Sequence, residues 1–192
     1  LDAKNHHDAI NMLFELAGNE RSITEAAIKE INALLLRGIT SVPTINKTGQ
    51  RIEKAITPGA YKREPNTVLL ADGSIHLYLE PLLVPEHMGR LATWLQAGAH
   101  ATHPALAAAA AHYEFVRIHP FDDGNGRGAR ILMHIILIER GFPPCVIRRE
   151  DRAAPLHALQ KPDPGEHEPF ARFILASLAH TLEAMAADFT ST

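Results

Sequence analysis

His119 precedes Asp123 by four positions, and Asp123 opens Gly124-Asn125-Gly126, with Arg127 and Arg130 close behind. A histidine titrates near neutrality and can take a proton from a hydroxyl nucleophile. A carboxylate can hold a hard cation such as Mg²⁺, which prefers one or two carboxylates together with phosphate oxygens. Asp123 is the favoured ligand here and Asp122 its rival. Gly124 and Gly126 let the backbone turn tightly and approach a ligand. The N–H groups beyond them open onto the N-terminus of the next helix, an anion site by geometry and dipole. Asn125 can orient the turn or donate to a phosphate oxygen. Arg127 and Arg130 lie on neighbouring positions of the helix's first turn and suit distal phosphates. Base, carboxylate, glycine turn and guanidiniums together describe group transfer from a polyphosphate, with Gly128 and Ala129 carried along in the nucleotide-binding run.

Two other motif readings fail. Gly124 to Ala129 matches G-x-G-x-x-A, but a helix rather than a strand precedes it, which is the wrong setting for a dinucleotide fold. A P-loop would need a lysine and a hydroxyl residue that are not there.

The elements that must position these groups are mostly helical. Apolar spacing through Ile10, Leu13, Phe14 and Ala17 predicts a helix from about Lys4, closed by Gly18-Asn19. Ser22-Ile23-Thr24-Glu25 has the capping-box pattern and predicts a helix to Arg37, stopped by Gly38. Residues 39–66 are rich in proline, glycine and polar side chains and read as a long ordered loop. Thr67 to Leu70 and Ile75 to Tyr78 flank Asp72-Gly73, which predicts one hairpin. Pro85 and Pro104 open helices to about Gln96 and Ile118. The small residues Ala107 to Ala111 on the second allow a neighbour to approach closely. The run after Gly126 is apolar on all faces, as a central helix should be. Gly141-Phe142-Pro143-Pro144 ends it. Further helices are expected over Asp151 to Gln160 and Glu168 to Asp188.

The expected architecture is therefore an all-α bundle with one hairpin, and 192 residues suffice for one domain with a sizeable core. A hydrophobic content of 46% excludes disorder, and a net charge of -3 gives no argument for a nucleic-acid or membrane surface. Cys145 is the sole cysteine, so an internal disulfide is impossible and a reducing compartment is expected. Because the first residue is Leu1, the chain is expected to be a fragment or processed form.

His119 to Arg130 resembles the signature of the Fic family, H-P-F-x-[D/E]-G-N-G-R-x-x-R, at every defined position. The resemblance continues in His103-Pro104 and the helix into His112 to Ile118, in the hairpin at Asp72-Gly73, and in Asn5-His6 and Ala9. It implies a single Fic domain over residues 1–192, with a catalytic core over about 85–160 and a flap over about 67–79. The implied activity is transfer of AMP from ATP to a Ser, Thr or Tyr hydroxyl of a target protein, and of the chain itself, releasing pyrophosphate. By that resemblance His119 is the base, Asp123 holds Mg²⁺ between the α- and β-phosphates, and Gly124, Asn125 and Gly126 cradle anions. Arg127 falls on the β/γ side and Arg130 at the γ-phosphate. Phe121 is a buried wedge, and Ile75, His76 and Leu77 clamp the target by strand addition. The implied setting is the cytoplasm, or a host cytosol if the protein is a delivered effector, without direct contact to nucleic acid or membrane.

The sequence departs from the pattern in two places. Pro155 and Leu156 stand where some relatives carry adjacent tyrosines near the adenine. The inhibitory pattern [S/T]-x-x-x-E-[G/N] is missing, since no Glu-Gly or Glu-Asn dipeptide occurs. Control is expected upstream of Leu1 or in a separate, antitoxin-like protein. The alternatives are a phosphotransferase of the Doc type, which has lysine where Gly126 stands, an α-helical metal phosphohydrolase, and a partner-binding module that keeps the fold without activity.

Overall fold

The computed structural model describes residues 2–18, 21–46, 48–69, 73–147 and 167–190. Six α-helices appear in these residues: α1 (Asp2–Ala17), α2 (Glu25–Leu35), α3 (Val84–Ala97), α4 (Pro104–Ile118), α5 (Asn125–Glu139) and α6 (His167–Thr190). The expected helix over Asp151 to Gln160, and with it Pro155 and Leu156, lies outside the described residues.

Helix α5 is the axis of the bundle. Ala129, Leu132, Met133, Ile136 and Leu137 face α4, α3 and α6 in one core, while Ile131 and Ile135 face α1 and α2 in another. Ala105, Ala107, Ala108, Ala109 and Ala111 of α4 are almost wholly buried, which lets α4 lie close to α5. Gly128 shows how close: a Cβ there would meet the Phe115 ring at 3.3 Å. Helix α2 starts two positions later than the capping-box pattern implies. Thr24, not Ser22, is the N-cap, its hydroxyl accepting from the Ala27 N–H. At its far end the buried Asn5 donates to Arg37 O at 2.8 Å, tying α1 to carbonyls that the helix itself leaves unpaired.

The expectation of a single hairpin is corrected. Within the segment read as a loop, β1 (Ser41–Ile45) and β2 (Arg51–Ala55) form an antiparallel pair, Ser41 opposite Ala55 and Ile45 opposite Arg51. Its turn is held by the Asn46 carboxamide, which accepts from the N–H groups of Thr48 and Gln50. The expected hairpin is also present, as β3 (Thr67–Leu69) and β4 (Ile75–Leu77), with Val68 opposite His76. The two pairs are separate sheets that meet where the Thr67 hydroxyl donates to Ile45 O.

Candidate functional site

The motif occupies the turn between α4 and α5 and the start of α5. Helix α4 ends at Ile118. His119 takes the left-handed conformation, φ 50 and ψ 60, the one non-glycine residue with positive φ among the described residues. Gly124 repeats the left-handed turn at φ 77 and caps α5. A Cβ on Gly124 would lie 3.0 Å from Asn32 Nδ2, so glycine is required there for both backbone and space.

Phe121 is the buried wedge, packed beside Tyr61 and Phe115 with ring centroids 5.6 and 6.2 Å away. Asn125 folds back on it. Its Oδ1 accepts from Phe121 N at 2.9 Å and its Nδ2 donates to Phe121 O at 2.7 Å. The Asn125 side chain thus braces the turn, one of its two expected roles. Gly128 and Ala129 also differ from expectation. Gly128 packs on Phe115, its N–H donating to Gly124 O at 2.8 Å, and Ala129 is wholly buried, so neither presents a group to a ligand.

A segment from Gly59 to Asn66 runs along the turn like a strap. Lys62 N donates to Pro120 O at 2.9 Å, and Asn66 Nδ2 donates to Phe121 O at 2.7 Å. Asn32, buried on α2, joins strap and turn: its Nδ2 donates to Asp123 O and its Oδ1 accepts from Gly59 N, both at 2.9 Å. Tyr61 fixes the strap to α2, its hydroxyl donating to Glu25 at 2.7 Å beneath the Lys29 ammonium. Burial and that bond push the phenol pKa up. Asn32, Lys54, Tyr61, Lys62 and Asn66 were not singled out from the sequence. They lie 55 to 91 positions from the motif atoms they hold wherever the bond joins α2 or the strap to it, and no local pattern reports contacts over such distances.

The two aspartates have different surroundings. Asp122 is tucked inward and ion-paired with Lys54 at 2.7 Å, with both side chains about one-seventh exposed. Lys54 also donates to Asn66 Oδ1 at 3.2 Å. Asp123 has a side chain 43% exposed at the mouth of α5, where Arg127 lies 3.3 Å away. Arg130 Nη1 lies 3.9 Å from where a Gly126 Cβ would be, so both arginines gather over the exposed start of α5.

The His119 ring is held from two sides. Nδ1 lies 3.2 Å from Val116 O, and a carbonyl can only accept, so Nδ1 carries the proton and the neutral ring keeps its lone pair on Nε2. The Tyr78 ring stacks on it at 3.6 Å with an 18° tilt. Tyr78 follows the flap strand β4, and the edge of His76 meets it at 4.9 Å. Burial, and then the Lys62 charge, push the imidazole pKa down to about 3, which keeps it neutral at physiological pH. Of the flap residues, Ile75 and Leu77 share one face, with Leu77 49% exposed, while His76 lies on the other.

His112, His134 and Cys145 lie in the packed interior. His112 stacks on Phe170 at 4.9 Å and burial pushes its pKa down to about 3. His134 meets Cys145 O at 3.1 Å, and burial pushes the Cys145 thiol up to about 11, so it is no nucleophile. Among the described residues no group of three or more His, Cys, Asp or Glu side chains could hold a metal by itself. No described helix is long and apolar enough to cross a membrane.

Bundle, flap and motif turn together define a family rather than a unique protein. A model of the Fic/DOC family matches residues 22–137, and the chain belongs to that family. It is 35% identical over 170 residues to the protein adenylyltransferase Fic of Drosophila melanogaster, covering 86% of this chain and 34% of that one. To the protein of the same name from Nematostella vectensis it is 33% identical over 178 residues, covering 91% of this chain and 41% of the other. The crystal structure of a Fic domain-containing signaling protein from Bacteroides thetaiotaomicron VPI-5482 superposes with a TM-score of 0.74 at 31% identity, over 93% of this chain and 69% of that one. The chain therefore spans well under half the length of the two named adenylyltransferases.

Proposed function

We propose that the chain is a protein adenylyltransferase, moving AMP from ATP to a hydroxyl side chain of a protein. The observation that carries this is the tautomer of His119. With Nδ1–H given to Val116 O, the Nε2 lone pair is the group left to receive a proton, at a turn that opens onto the N-terminus of α5. The hydroxyl proton passes to Nε2 as its oxygen bonds to the α-phosphorus. The bond from that phosphorus to the bridging oxygen breaks, and pyrophosphate leaves. Arg127, Arg130 and the first N–H groups of α5 oppose the negative charge of the phosphates, so positioning and electrostatics carry the step.

Asp123 would hold Mg²⁺. Its half-exposed carboxylate is a hard oxygen donor beside the anion site, and a lone carboxylate suits an ion that takes its other ligands from phosphate and water. Bound there, the ion would neutralise phosphate charge. Asp122 is committed to Lys54 and is not a second ligand. The outer edge of β4 would receive the target segment as an added strand, beside Ile75, His76 and Leu77. An inhibitory segment or partner that set a carboxylate against Arg130 would compete with the γ-phosphate. The cytoplasm, or a host cytosol, is the setting in which this activity would find ATP.

The test is incubation with ATP labelled at either the α- or the γ-phosphorus in the presence of cell lysate. Label above that of lysate without the chain, from α-labelled ATP alone, is the expected result. Label from γ-labelled ATP would show phosphoryl transfer of the Doc type instead, and label from neither would favour a binding module.

A further inference from the structure

Lys62 lies outside the motif, on the strap, and is 3% exposed. A buried ammonium must find acceptors. The Lys62 side chain reaches Ile118 O, 3.4 Å from Nζ, while its backbone N–H donates to Pro120 O at 2.9 Å. These are the carbonyls immediately before and after His119. The residue between them has the left-handed backbone that side chains other than glycine rarely adopt, and such a conformation persists only where its surroundings over-determine it. Ile118 O also belongs to the last turn of α4, whose carbonyls lack helical donors and attract a cation.

We infer that Lys62 is the positioning residue of His119: by bonding the carbonyls on both sides of it, Lys62 fixes the left-handed turn that aims the imidazole. The catalytic consequence rests on the adenylyltransferase reading above, but the clamp does not. The charges that face Lys62 are Lys54 from β2, Glu80 after the flap and Asp122 from the motif turn. His119 is faced by Lys62 and by His76 of the flap, with the Tyr78 ring against it. Burial, then Lys54, pushes the Lys62 pKa down to about 8.

The test uses the full chain labelled with ¹⁵N, with the His119 ring signals assigned by their loss in His119→Ala. Lys62→Met keeps the methylene stem and removes donor and charge. The His119 ring should then titrate at higher pH, and its Nδ1–H should exchange faster. Self-labelling by α-labelled ATP should lose about 10²-fold in kcat, the scale expected for a misplaced catalytic group, while KM for ATP moves less than about threefold. Lys62→Arg keeps a cation and donors and should recover most of the rate. Should Lys62→Met not fold, the parent protein decides: its His119 signals should shift with a midpoint near that of Lys62, though His119 itself is neutral there. Ring signals unchanged in Lys62→Met, or flat in the parent between about pH 7 and 9.5, overturn the clamp. A parent that shows the ring shifts but transfers no AMP overturns the activity and leaves the clamp standing.

Discussion

Neutralising the two adjacent aspartates separately should give opposite results. In Asp122→Asn the Lys54 ammonium loses its 2.7 Å partner and keeps only Asn66 Oδ1 at 3.2 Å. Breaking a fully buried pair costs about 3–5 kcal/mol. With both side chains about one-seventh exposed, and one acceptor remaining, ~2–3 kcal/mol is the reasonable expectation. For a chain of this length that lowers Tm by about 5–10 °C. Asp123→Asn loses only a 3.3 Å contact between partly exposed groups, a pair of the kind worth about 0–1 kcal/mol. Its Tm should fall by less than about 3 °C. Activity should divide the other way. Removing a preorganised charge from the phosphate site costs about 10²–10³-fold, so Asp123→Asn should lose AMP transfer, and its residual rate should respond weakly to Mg²⁺. Asp122→Asn, assayed well below its Tm, should stay within about tenfold of the parent, as a positioning loss smaller than a lost reactive group. Calorimetry and Mg²⁺ titrations of the two variants decide the matter. If Asp122→Asn loses its Mg²⁺ response while melting like the parent, the division of labour drawn from their surroundings is wrong.

His119→Ala should bind a non-hydrolysable ATP analogue as the parent does and lose about 10²–10⁴-fold in transfer rate; parental transfer would refute the base assignment. Gly124→Ala should cost at least ~1–2 kcal/mol for the left-handed backbone, with more from the 3.0 Å approach to Asn32, read as a lower urea midpoint. Tyr78→Phe, which keeps the stacked ring, should transfer at near-parental rate, and Tyr78→Ala should be slower and show an altered acid limb in its pH–rate profile. Chain stability should fall as pH drops below about 6.5, the ordinary histidine value. His112 and His119 have folded pKa values pushed down to about 3, so the unfolded chain binds more protons across that window. Urea unfolding from pH 7 to 4 should show the slope, and His112→Gln should flatten it.

What could be read from the sequence was local. Helices announced themselves through period and punctuation, as at Pro104, and Gly141 marks the end of α5 with φ 76. The β1–β2 hairpin did not, because its strands are short, β1 is interrupted by Pro43, and β2 is mostly exposed and carries Arg51, Glu53 and Lys54. Its turn is set by one asparagine rather than by an Asn-Gly pair. In the site, the motif residues proposed to meet ATP are contiguous and visible. Those that give the turn its shape come from α2, β2, the strap and the flap, and only folding brings Asn32, Lys54, Lys62 and Tyr78 to it.

The Asn125 brace bears on how the protein ages. Asn125-Gly126 is an Asn-Gly dipeptide, the sequence in which the following backbone nitrogen most readily attacks the side-chain carbonyl and releases ammonia. In the folded chain that carboxamide is committed at both ends to Phe121, is buried, and stands at the first position of a helix whose backbone holds the attacking nitrogen away. Unfolding removes all three protections together. Deamidation at this one position would then accumulate in proportion to the time spent unfolded, and each event would replace a donor to Phe121 O with a carboxylate oxygen that repels it. The chemical lifetime of the motif is therefore set by the conformational stability of the bundle around it.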